Sequence, residues 1–210
     1  MKPKLLQFSL VVRGETHNPS ILNPDFLSVQ GIVPTSWKWE SRQTMTTPMA
    51  SSVEYANHVS IQVTAESLQV VGEVEDGDSF SDKIPEVARR YVETLPHVRY
   101  TALGINFHSA LSVGNPGESI RDRFMTDGPW RSEAVAAGVR LEYALSDGRL
   151  RISVDGGKRG EEEAILVCAN FHRDLTEHPA TDQIKGHLDR VQADLESYNE
   201  TLASLFKWLK

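Results

Sequence analysis

Towards its C-terminus the chain carries Ile184, Leu188, Val191, Leu195, Tyr198, Leu202, Leu205 and Leu209, spaced by alternating steps of four and three residues. Apolar residues at that spacing line up along one side of an α-helix as an a/d seam. The spacing predicts one helix over residues 181–209, and at ~1.5 Å per residue such a rod is ~40 Å long. A stripe of that length has to be covered, either by the chain's own sheet or by a second polypeptide. Burying each position is worth ~1.5–3 kcal/mol before chain entropy is subtracted. Phe206 and Trp208 lie off the seam and make the helix tip apolar on more than one side, the composition of a contact surface.

Upstream, the dominant period changes from helical to two. Leu6, Phe8, Leu10 and Val12 share one face, with Gln7 and Ser9 interrupting the apolar run, and predict a half-buried strand rather than a signal peptide. Residues 14–52 follow as a long loop whose Asn18-Pro19 and Asn23-Pro24 pairs initiate turns. Phe26, Leu27, Ile32, Val33, Trp37 and Trp39 predict that this loop packs onto the domain, and ordered loops of such length commonly carry binding surfaces. Strands are expected at 58–64 and 68–74, then a helix capped by Ser81 or Asp82 and running to Leu95, a strand at 100–108 and a short helix at 118–125. Residues 139–154 read as a hairpin with a type I′ turn at Asp147-Gly148, which places Leu145 opposite Leu150 and Tyr143 opposite Ile152. An apolar strand at 164–171 completes the set. The expected fold is one α+β domain over residues 1–210, a curved antiparallel sheet of about seven strands with the terminal helix packed on it. The segment Gly104–Leu111 echoes Cys168–Leu175 through a shared Asn-Phe-His, which admits two similar halves.

Charge narrows the function. The 210-residue chain has a net charge of -7, against the Lys and Arg excess that grips nucleic-acid backbones or anionic membranes. It has no apolar run of transmembrane length, and its one cysteine, Cys168, excludes an internal disulfide and a multi-thiolate zinc site. A cytoplasmic protein without membrane attachment is the expectation. No nucleophile elbow, zinc-binding His-Glu-x-x-His helix, dinucleotide fingerprint or P-loop occurs. Glu75-Asp76-Gly77-Asp78 concentrates oxygen ligands but lacks the Ca²⁺-loop pattern.

Two constellations remain. Side chains two apart on a strand share a face, so Asn106 projects with His108 and Asn170 with His172; convergent imidazoles would suit a ligand or an acid–base pair. Arg140, Arg149, Arg151, Lys158 and Arg159 form a basic set on the hairpin that would suit phosphates, although Glu142, Asp155 and Glu161–Glu163 lie on the same elements.

The element order, with Arg99-Tyr100 leading an apolar strand and a long helix closing the chain, resembles that of sporadically distributed bacterial proteins. Some of those look like companions of defence or toxin–antitoxin genes. The likeness is one of order, and no residue role follows from it.

With contact surface in two places and no catalytic signature, the expected function is a non-catalytic protein-binding accessory module, an adaptor or inhibitor subunit of a bacterial complex. It would self-associate or dock a protein partner through Tyr198, Leu202, Leu205, Phe206, Trp208 and Leu209 of the helix and Trp37 and Trp39 of the loop. No cofactor or metal is expected. The alternative is an enzyme or small-ligand-binding protein with its site between sheet and helix, using His108, His172, Asn106 and Asn170. A second alternative is nucleic-acid binding by the arginine hairpin.

Overall fold

The computed structural model describes residues 3–40, 44–74, 82–129, 131 and 136–207. The strands are β1 Lys4–Glu15, β2 Met45–Thr46, β3 Ala50–Tyr55, β4 Val59–Thr64, β5 Ser67–Glu73, β6 Arg99–Ser112, β7 Gly138–Leu145, β8 Gly148–Arg159 and β9 Glu162–Asp174. The helices are α1 Pro24–Val29, α2 Lys83–Thr94, α3 Pro116–Phe124, α4 Thr181–Leu188 and α5 Val191–Leu205. All strands join one open antiparallel sheet in the order β2-β3-β4-β5-β1-β6-β9-β8-β7. The α+β class is therefore as expected, with nine strands among the described residues instead of about seven.

The two additional strands, β2 and β3, lie where the loop 14–52 was expected to run on. In β3 the buried positions are Ser51, Val53 and Tyr55. A serine stands at one core-facing site, its hydroxyl donating to the Thr47 carbonyl at 3.2 Å, so the apolar alternation is too short to see.

Read outward from its centre, the sheet repeats itself. One way runs β1-β5-β4-β3 and the other runs β6-β9-β8-β7. Each half begins with a strand, crosses over through a segment containing a short helix, returns as a three-strand meander and closes with helical structure. The halves meet along β1 and β6, where Phe8 faces Phe107 and Ser9 faces Asn106. The Asn-Phe-His echo does not mark this repeat. Its two copies lie on adjacent strands, with Asn106 directly opposite Asn170.

One face of the sheet is the core. Phe8, Leu10, Val12, Ile61, Val70, Ile105, Phe107, Ile152, Val167 and Phe171 project from it and are fully buried or nearly so. A bulge between Leu5 and Gln7 makes Leu5, and not Leu6, the next buried residue of β1. Helix α2 packs Ile84 against Gly72, where any larger residue would meet the Ile84 side chain. Phe107 is the hub, its ring 5.3 Å from those of Phe8 and Tyr198 and 5.9 Å from that of Phe171. The opposite face is polar, with Gln7, Asn106, His108, Cys168 and Asn170 half-buried along its centre.

The terminal helix differs from expectation. Its seam is buried at Ile184, Leu188, Val191, Leu195, Tyr198 and Leu202, but the rod is broken at Asp189 and Arg190 into α4 and α5. The Arg190 amide donates to the His187 carbonyl at 3.1 Å, a tightened turn in place of the α-helical bond. Side chains explain the joint. Asp189 pairs with Arg89 of α2, and Arg190 reaches Asp147 in the β7–β8 turn at 2.8 Å. Asp147 also accepts from Arg173 Nε at 2.8 Å, and Arg173, only 1% exposed, forms a two-pronged pair with Asp194 of α5 at 2.7 and 2.9 Å. Breaking a buried pair of this kind by removing one partner costs about 3–5 kcal/mol.

The same cluster shifts the β7–β8 hairpin by two residues. Leu145 pairs with Gly148, Tyr143 with Leu150 and Leu141 with Ile152, so the turn residues are Ser146 and Asp147. Neither takes the positive φ of a type I′ turn. Gly148 is instead required for close approach, because a Cβ there would lie 2.1 Å from the His172 carbonyl oxygen. A shift of two preserves which face each side chain occupies.

Candidate functional site

Two places on the molecule bring chemistry-bearing or contact-forming side chains together. The first is on the polar face of the second half. Antiparallel register sets His108 opposite Cys168, Asn106 opposite Asn170, Ser153 opposite Cys168 and Arg151 opposite Asn170, while Glu142 faces Arg151 and Arg140 faces Ser153. Together they line a groove of about 510 Å³. Its floor is hydrogen-bonded: Asn170 Nδ2 donates to Asn106 Oδ1 at 2.6 Å, and Asn106 Nδ2 donates to Ser9 Oγ at 3.3 Å. Cys168 Sγ lies 3.1 Å from His108 Nδ1.

Burial favours the neutral form of each member of that sulfur–imidazole pair. Burial pushes the Cys168 thiol above its ordinary value and the His108 imidazole below its own. A thiolate–imidazolium nucleophile needs the opposite shifts, so the pair as it stands is a polar contact rather than an activated nucleophile. On the rim, the hydrogen bond from Arg151 holds the Glu142 carboxyl below its ordinary value, with Arg149 adding a smaller Coulombic effect.

His172 does not join this groove. It sits opposite Gly104, four residues along β9 from Cys168, so the two histidines stand about 13 Å apart along the strands at ~3.3 Å per residue. His172 Nε2 instead contacts Asp174 Oδ1 at 3.0 Å. The expected convergence of His108 and His172 is therefore corrected, and so is its place: both project from the polar face, away from the helices. Antiparallel pairing is the reason, since it runs two Asn-Phe-His segments in opposite directions about the shared Asn106–Asn170 pair.

The basic set is dispersed as well. Arg149 and Arg151 share the polar face, but Lys158 is placed opposite Glu163 and Arg159 opposite Glu162. Arg151 is tied to Glu142. Arg151, Lys158 and Arg159 thus each stand opposite a carboxylate, which offsets charge that a nucleic-acid backbone would need.

The second place is the crossover segment between β1 and β3. Asn18 and Asn23 cap its helical turns through their side chains, Asn23 Oδ1 accepting from the Phe26 amide at 2.8 Å. Leu22, Leu27, Ile32 and Val33 are buried and fasten the segment to the core. Trp37 packs edge-on against Tyr55 with ring centroids 5.2 Å apart, and Trp39 bridges to Tyr55 through the backbone. A groove of about 380 Å³ runs there, lined by Pro24, Val33, Pro34, Trp37, Trp39 and Tyr55 among others. Val29, Trp39, Met45 and Met49 are 80%, 48%, 50% and 82% exposed.

The helix tip was expected to be contact surface, and its described residues are occupied otherwise. Tyr198, Leu202 and Phe206 are buried in the chain's own core, and Leu205 packs partly against it. Phe206 is buried at the end of α5, its amide donating to the Leu202 carbonyl at 2.9 Å. Trp208 and Leu209 lie outside the described residues, as does Glu75-Asp76-Gly77-Asp78.

Ser153 and Cys168 were not expected to join Arg140 in a site. Their period-two alternation was present in the sequence, but the strand order that makes β6, β9, β8 and β7 neighbours was not. Among the described residues no group of three or more His, Cys, Asp or Glu side chains is placed to hold a metal, and no helix is long and apolar enough to cross a membrane. Comparison with protein-family models, with curated proteins and with solved structures finds no match to this chain.

Proposed function

We propose that the chain is a non-catalytic protein-binding module, an adaptor or inhibitor subunit, that holds a polypeptide partner on the crossover segment between residues 16 and 49. The distribution of exposed apolar surface carries this reading. Among the exposed large apolar side chains of the described residues, Val29, Trp39, Met45 and Met49 all lie on this segment, and Tyr143 is the one elsewhere. Water-facing methionines and a tryptophan on a segment whose other side is anchored in the core form an adaptable, pre-organised contact surface. The adjoining groove supplies aromatic walls at Trp37, Trp39 and Tyr55. The terminal helix contributes indirectly, by completing the core on which the sheet rests.

A paired variant tests it. Trp39→Ser with Met49→Ser removes two exposed side chains, so thermal stability should stay within about 1 kcal/mol of the parent. A partner captured with the tagged parent chain and reconstituted in pure form should bind the variant at least tenfold more weakly. Unchanged affinity in the variant overturns the reading, as does a partner that protects the polar sheet face and leaves the crossover segment open. Light scattering on the same samples distinguishes a second copy of this chain from a different protein.

A further inference from the structure

The groove on the polar face of the second half plays no part in that reading, and its charge is unlike its surroundings. The chain as a whole carries -7, yet β7 and β8 present Arg140, Arg149 and Arg151 on this face against Glu142 and Asp155. Glu142 is taken by Arg151. Arg140 has no carboxylate partner among the described residues although it lines the groove, and Arg149 Nε is buried without a hydrogen-bond partner. The corresponding place in the first half, between β3, β4, β5 and β1, is lined by Glu40, Glu54 and Glu73. Two related halves thus present opposite charge at matching positions.

We propose that this groove binds a small organic anion whose phosphate or carboxylate group is held by Arg140. Its volume of about 510 Å³ lies within the roughly 300–1,000 Å³ of small-molecule sites. A planar guanidinium with free N–H groups is suited to oxyanions. Ser153, Cys168, His108 and Asn170 stand along the floor and supply polar contacts for the body of the ligand. The neutral Cys168–His108 pair accommodates such a body without contributing charge of its own.

Titration of the ¹⁵N-labelled full chain with inorganic phosphate, and separately with acetate, at constant ionic strength tests the proposal and tells the two charged groups apart. Saturable amide shifts are expected around Ser153, Cys168 and Asn170, with the tighter anion naming the group preferred. Arg140→Gln should weaken that binding at least tenfold, while Arg123→Gln on α3 should leave it unchanged. Shifts that fail to saturate with either anion, or equal affinity in the Arg140 variant with an unaltered melting temperature, overturn it. The Trp39/Met49 variant should bind the anion normally, which keeps this outcome separate from that of the crossover segment.

Discussion

A histidine shows how much one side chain depends on its surroundings here. His17 follows the first strand in a sequence context that suggests only a turn, yet it is 4% exposed and lies between the rings of Tyr91 and Tyr100, with centroids 6.1 and 5.8 Å away. Its Nδ1 is 3.3 Å from the Tyr91 hydroxyl and its Nε2 has no hydrogen-bond partner among the described residues. Burial lowers its pKa from 6.5 to about 4. The unfolded chain therefore binds a proton that the folded chain refuses between those values. The stabilisation is complete above pH 6.5 and is lost progressively as pH falls towards 4. At ~1.4 kcal/mol per pKa unit the loss approaches about 3 kcal/mol, and His187, shifted the same way by burial, adds to it. Urea denaturation at pH 7 and pH 4.5 should show this drop, and His17→Gln should flatten it. An equally steep pH dependence in that variant would remove His17 as its source.

At the scale of elements, the last helix decides between docking and self-packing. Leu202 and Phe206 belong to the same core as Phe107, and the Tyr198 hydroxyl donates to Ser109 Oγ at 2.8 Å beneath them. Ending the chain after Tyr198 removes two buried apolar side chains, each worth about 2–5 kcal/mol once the cavity is counted. Such a truncation should unfold at markedly lower urea or fail to fold, as read by circular dichroism. A truncated chain with parental stability would show that the helix end is dispensable to the core. The a/d ladder announced this helix and its covered side because its period is local. The break at Asp189–Arg190 was not legible, since it depends on Arg89 and Asp147, which reach it only in the fold. The hairpin register followed the same rule: alternation chose the faces correctly, while Asp147, drawn into the Arg173–Asp194 cluster, chose the turn.

For the whole molecule, the decisive feature is the seam between β1 and β6. Each half is a strand, a crossover and a meander, and each leaves one edge of its first strand unpaired until the other half covers it. An isolated half exposes the backbone of that strand together with one side of the Phe8–Phe107 contact. Fragments 1–97 and 98–210 should therefore be poorly soluble alone and should form a one-to-one complex when refolded together, measured by size-exclusion chromatography with light scattering. Two independently soluble, non-associating fragments would contradict a shared core. The same seam places the basic groove of one half and the acidic groove of the other on one face, and sets the crossover segment at the outer end of the first half.

Local periodicity alone determined much of this protein. The seam residues of the terminal helices, the buried side of α2, the alternation in β1, β4, β5 and β8, and a crossover fastened by Leu27, Ile32 and Val33 all follow from apolar spacing, because burial acts on neighbours along the chain. The tertiary structure decided which strands are adjacent, and with that every property that needs two distant segments at once. It parted His108 from His172, paired His108 with Cys168, left Arg140 without a carboxylate partner among the described residues and buried Phe206. The physical reason is that strand pairing and long-range charge contacts are selected by the packing of the whole core, which no window of sequence contains.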